Sequence, residues 1–198
     1  MKTKHLFWAV PLAIIVILFF SLFSFNNSAV RKLETVKTSL SNVESSYQRR
    51  ADVITGLVNT VKGAADFEKE VLTDVVEARA KAGQTNINLN DLNANSINQF
   101  AEAQQALSGA LSRLLVTVER YPELKATQNF LEFQSQLEGT ENRINVERNR
   151  YNQAVNTYNT HIKVFPNVLY AGWLGFSEEF QRFQSSEGSQ DAPEISFD

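Results

Sequence analysis

Six asparagines, Asn142, Asn145, Asn149, Asn152, Asn156 and Asn159, follow one another at spacings of three, four, three, four and three residues. That period places all six on one flank of a helix. Asparagine is a mediocre helix former, so a row of it points to carboxamides retained for the hydrogen bonds they make with a neighbouring helix or an external partner. A merely solvated flank is the competing explanation. A second set comprises Arg50, Glu68, Glu141 and Arg148, charges that stand at positions of otherwise apolar helical stripes. Uncompensated burial of a charge costs several kcal/mol. The four are therefore expected to pair with one another, or with tyrosine hydroxyls and asparagine amides, in a network that sets helix register. A binding site within the bundle, or long side chains reaching outward to water, are the alternatives.

Reactive chemistry is harder to place. The chain has no cysteine and two histidines, His5 and His161, and the residue three before His161 is Tyr158 rather than a glutamate. Inward Glu-x-x-His pairs of a metal-carrying bundle are therefore missing. Neither H-E-x-x-H, a glycine-rich phosphate loop nor a Gly-x-Ser-x-Gly elbow occurs, so hydrolase and nucleotide chemistry have no footing. No enzyme activity, catalytic residue, metal or cofactor is expected. A formal charge of −3 over 198 residues supplies no cationic field for nucleic acid.

These side chains must be positioned by helices. Few prolines and glycines, four and eight, suit an all-α chain better than a β-sandwich with its frequent turn residues. The longest stripe is Leu33, Val36, Leu40, Val43, Tyr47, Arg50, Ile54, Leu57, Val61, Ala64, Glu68, Val71, Val75, Ala78 and Ala82, marking one face for burial over about seven heptads. Such a stripe needs partner helices, and the chain supplies two more. Ile97, Phe100, Gln104, Leu107, Leu111, Leu114, Val118 and Tyr121 form one, opened by a Ser96/Gln99 capping box. Leu124, Leu131, Leu137, Glu141, Ile144, Arg148, Tyr151, Val155, Tyr158, Ile162 and Phe165 form the other. Pro122 reverses the chain between them and Phe165-Pro166 stops the last. Gly56 and Gly63 each cost about 1 kcal/mol inside a helix. A break near Gly63 to Asp66 gives an antiparallel four-helix bundle; without it the chain has three long helices with an unbroken first one.

Before the bundle, Leu6 to Phe25 runs without a charge, long enough for a transmembrane helix. The anchor is thus residues 1–27 with its span at 6–25, the bundle 28–184, and a polar tail 185–198 expected to be disordered. Asn26, Asn27 and Ser28 form a collar and candidate cap, and Gln84 to Asn95 a polar loop. Lys2 and Lys4 on one side nearly balance Arg31, Lys32 and Lys37 on the other. The expected orientation is N-terminus inside, with the bundle extracytoplasmic. Asn167 to Phe176 is aromatic but too short to span. It is expected to cap the bundle, or else to rest at the membrane interface through Tyr170 and Trp173.

Tyr47-Gln48-Arg49-Arg50-Ala51-Asp52, Val61-Lys62-Gly63 and Glu77-Ala78-Arg79-Ala80-Lys81-Ala82 resemble motifs of the LemA family of bacterial membrane proteins. Tyr121-Pro122-Glu123-Leu124, Arg148-Asn149-Arg150-Tyr151-Asn152, Tyr158-Asn159 and Phe165-Pro166 are similar to that family's later motifs, so the likeness runs from the anchor to about Phe176. It implies an anchored antiparallel four-helix bundle with no assigned chemistry, and it raises the four-helix reading above the three-helix one. Ile54-Thr55-Gly56-Leu57 departs from the family pattern, which commonly carries proline and asparagine there, so no kink is carried over to that site. The functional expectation is a single-pass scaffold or adaptor at the bacterial cell envelope. Its partners would be the bilayer and other membrane or envelope proteins, and the same exposed faces allow a homo-oligomer. The alternative is a lipid-binding or membrane-shaping protein using residues 167–183.

Overall fold

The structure, a computed structural model, describes residues 3–63, 67–85, 94–176 and 178–184. The expected tail 185–198, most of the loop between Gln84 and Asn95, and Ala64 to Asp66 lie outside the described residues. Most of the described chain is helical, with no strand among the described residues. A helix of 60 residues, α1 (Thr3–Lys62), passes from the apolar span straight into the first stripe. Pro11 lies inside it and removes one main-chain donor without ending it. The expected cap at Asn26 to Ser28 does not form. The helix runs through that collar, and Phe25 and Ala29 on either side of it are buried, so packing carries the helix past residues that favour caps.

α1 ends at Lys62, followed by Gly63, and α2 occupies Lys69–Gln84, so the first stripe is divided and the four-helix alternative is the observed one. Phe67 packs on Tyr121, centroids 5.1 Å apart, which pins the crossing. α3 (Ala94–Val118) is already helical two residues before Ser96, placing Ser96 inside the helix rather than at its cap. A short α4 (Pro122–Lys125) with proline in its first turn makes the reversal. α5 (Gln128–Lys163) is capped by Thr127, whose hydroxyl accepts from the Phe130 amide. α6 (Asn167–Ala171) follows the Phe165-Pro166 stop. Because α5 starts at Gln128, Phe130 is the buried residue of its first turns, while Leu131 and Phe165, both expected inside, are exposed.

Cross-ties fix the topology. Arg50 meets Glu141 and Phe25 meets His161, so α5 lies antiparallel to α1. Asp74–Arg113 at 3.2 Å and Glu68–Arg120 at 2.7 Å set α2 antiparallel to α3, and the Arg79 Nε donates to the Ala51 carbonyl at 3.0 Å, tying α2 back to α1. The helices are unequal. At 1.5 Å per residue α5 and the part of α1 beyond Phe25 are each roughly 55 Å long, α3 about 37 Å and α2 about 24 Å. Four helices therefore lie side by side only in the half farther from the apolar span, around Ile54, Leu57, Val61, Val75, Leu107, Leu114, Val118 and Leu137. In the nearer half, among the described residues, α1 and α5 are the two long helices beyond the start of α3. Their seam of Val36, Leu40, Tyr151, Val155, Tyr158 and Ile162 is closed by Ala171, Phe183 and the partly buried Tyr170, Phe176 and Phe180.

Candidate functional site

The charged positions do not form one network. Arg50, its side chain 4% exposed, places Nη2 at 2.8 Å from the Glu141 carboxylate, which is 42% exposed. The same nitrogen donates to Ser108 Oγ at 2.6 Å, so α1, α3 and α5 meet at one guanidinium. Tyr47 lies beside this group. Burial pushes its hydroxyl pKa up, while the Arg148 and Arg50 charges pull it the other way. Glu68 is elsewhere, at the start of α2, paired with Arg120 across an open surface. Arg148 turns away from both carboxylates: its Nη2 donates to the Gln184 carbonyl at 2.6 Å, and its guanidinium sits 5.2 Å from the centroid of the Phe183 ring. One buried charge was missed by the stripe pattern. Glu147 is buried and pairs with Arg150 at 2.8 Å.

The asparagine row is divided as well. Asn142, Asn145, Asn149 and Asn156 are exposed. Asn152 and Asn159 hold residues 178–184, which are not helical and run back along α5. Asn159 Nδ2 donates to the Phe180 carbonyl at 2.9 Å while its Oδ1 accepts from the Phe180 amide at 3.2 Å. Asn152 does the same to Phe183, at 2.9 Å in both directions. Each carboxamide thus satisfies both main-chain groups of one residue, as a paired strand would. The spacing explains the choice of these two. Seven helical residues rise about 10.5 Å, and three extended residues cover about 10 Å, so rungs two turns apart meet every third residue of the strap. Between them, the Tyr151 hydroxyl donates to the Gln181 carbonyl at 3.0 Å. Burial holds that hydroxyl's pKa well above its ordinary value.

The strap's aromatic side chains fill the α1/α5 seam. Phe180 packs on Tyr158 and Phe183 on Tyr151, both at 5.2 Å between centroids, and Phe183 reaches Phe100 of α3 at 6.3 Å. Lys163 ties Glu179 at 2.5 Å. Sequence reasoning singled out the asparagines but not their target, although a three-residue spacing of phenylalanines opposite a seven-residue spacing of asparagines was there to be matched.

At the end of the bundle nearest the span, Phe25 stacks on His161 at 5.2 Å and touches Tyr170 at 5.8 Å. Burial lowers the His161 pKa, and Lys32 adds to the effect. Tyr170 is therefore half-buried against α1, whereas Trp173 is 77% exposed, Phe165 80% and Leu169 64%. The segment 167–183 is accordingly two things: an elbow with an outward apolar side, and the strap. A separate open cleft of about 510 Å³ between α1, α2 and α3 is lined by Glu44, Tyr47, Gln48, Arg79, Phe100 and Gln104 among others. Desolvation raises the Glu44 pKa there.

The sequence model of the LemA family matches residues 39–197. Protein LemA of Metamycoplasma hominis is similar, at 25% identity over 70% of this chain and 60% of that protein. Magnetosome proteins MamQ 2 and MamQ 1 of Paramagnetospirillum magneticum are each 26% identical over 78% of this chain and 64% of theirs. The chain thus spans 60–64% of the length of these curated relatives.

Proposed function

Since the chain belongs to the LemA family, we propose that it is a membrane-anchored adaptor, a helical bundle that holds partner proteins at the cell envelope by contact rather than by catalysis. The observation that carries this is the continuity of α1. One uninterrupted helix joins an apolar, outward-facing stretch long enough to cross a bilayer to the wall of the bundle, so the bundle stands at a set height and angle to the membrane. Asn142, Asn145 and Asn149 on α5 and Val116 on α3 are exposed on this platform. A photoreactive residue placed singly at these positions in the full chain, in intact membranes, is expected to give a discrete heavier adduct from one face and none from the others. Equal background labelling from every face would sink the adaptor role.

Contact with lipid through the elbow is favoured by a separate observation. Phe165, Leu169 and Trp173 are exposed at the level where Phe25 closes the apolar span, which is where aromatic side chains gain from the membrane interface.

A further inference from the structure

The groove between α1 and α5 has the features of a peptide-binding site that is filled by the chain's own strap. Its floor is Tyr151 and Tyr158, almost fully buried beneath the strap. Its ties to the strap run from side chains to main chain: the paired bonds of Asn152 and Asn159, the Tyr151 hydroxyl on Gln181 and Arg148 on Gln184. Main-chain groups are common to all residues, so these ties select an extended conformation. Selection by side chain is left to the two aromatic positions and to Lys163, which pairs with Glu179. Helix α5 here does what a sheet edge does when it accepts a strand, with carboxamides in place of the edge's own amides and carbonyls.

From this we infer that the α1/α5 groove recognises an extended segment of a partner protein that carries two aromatic residues three apart with an acidic residue before the first, and that the strap occupies the same site in cis. The inference rests on the adaptor reading and names the chemistry of its partner. A second copy of this chain is the poorer occupant. The strap follows α6 after only residues 172–177, six residues that reach about 20 Å at full extension, which keeps it beside its own α5. The tether sets the regulation. A strap held at an effective concentration on the order of millimolar competes with any segment arriving in trans, so the site is masked at rest and opens as the strap is weakened.

The test uses the full chain in detergent micelles and a fluorescein-labelled peptide with the sequence of residues 176–184, read by anisotropy. Unaltered protein is expected to bind weakly. Phe180→Ala with Phe183→Ala, which removes both rings from the groove and weakens the strap's hold, is expected to bind at least ten-fold more tightly, and adding Asn152→Ala and Asn159→Ala is expected to abolish that gain. Peptide with both phenylalanines changed to alanine should bind neither form. If the double phenylalanine variant loses helicity, Glu179→Lys decides instead: it keeps both rings, repels Lys163, and is expected to bind the peptide several-fold more tightly than the unaltered chain. Binding no better than that of a scrambled peptide in every folded variant overturns the inference and leaves the strap a structural closure. Dimers of the unaltered chain that vanish when Phe180 and Phe183 are replaced would overturn the choice of partner in favour of exchange between copies. Photo-adducts retained while peptide binding fails would sink the groove and spare the adaptor.

Discussion

Arg50 and Glu141 differ in their exposure to solvent, and that difference decides what each is worth. The guanidinium is enclosed at 4% exposure while its carboxylate partner is 42% exposed. Removing Glu141 leaves a charge that cannot be given up, with Ser108 as the hydrogen-bond partner that remains among the described residues. A buried pair broken from one side costs about 3–5 kcal/mol; screening at the open carboxylate reduces this to about 2–3 kcal/mol for Glu141→Ala. Arg50→Met keeps most of the buried volume and leaves Glu141 free to hydrate, so its loss should stay near 1 kcal/mol. Denaturant titration of the full chain in micelles measures both. Equal losses, or the larger one for Arg50→Met, would show that the guanidinium is reached by water. Charge at a stripe position was legible in the sequence; which carboxylate it would meet was not, because Glu68 and Glu141 share the same pattern and only the division of the first stripe sends Glu68 to the start of α2, beside Arg120.

Helix packing raises a comparable question at Gly56. A Cβ there would overlap the ring of Phe133 on α5, so this glycine lets α1 and α5 approach where the ring crosses. Alanine would gain about 1 kcal/mol of helix propensity and pay for it by displacing the ring. Gly56→Ala alone should therefore lower the melting temperature, whereas in a Phe133→Ala background it should raise stability by about 1 kcal/mol, and the cycle of the two changes isolates the contact. An equal gain in both backgrounds would mean the ring moves aside at no cost. Among the elements, the strap is the one for which the sequence offered no reading of its own: the expected cap or membrane segment was the aromatic run Asn167 to Phe176, part of which does close the end of the bundle. An extended strand with no sheet beside it carries no periodic signal of its own.

Taken whole, the molecule is a post formed by α1, apolar at its start, with a bundle whose nearer half has two full-length helices among the described residues. The elbow hangs at their junction with the span. Seating Trp173 in lipid would order it at the interface. In a Trp8→Phe chain, where Trp173 is the remaining tryptophan, fluorescence in proteoliposomes is expected to be quenched by lipids brominated near the headgroup and less by lipids brominated at the chain ends. Emission indifferent to both would place the elbow in water and remove the lipid contact from the proposed function.

Composition and periodicity alone determined that this chain is all-α, that its first twenty or so apolar residues form a helix able to cross a membrane, and much of the inward face: Val36, Leu40, Val43, Ile54, Leu57, Val61, Leu107, Leu114 and Val118 are buried as their spacing requires. Burial along a helix is a local property, repeated every turn, and a sequence displays it directly. The tertiary structure decided what the polar residues meet. Asn152 and Asn159 were chosen from six equivalent asparagines because α2 and α3 are too short to cover the inner half of α1 and α5, and the chain returns as a strap to close that seam. Helix lengths after folding, and hence which rungs are left for the strap, depend on how distant segments line up, and no spacing within α5 encodes that.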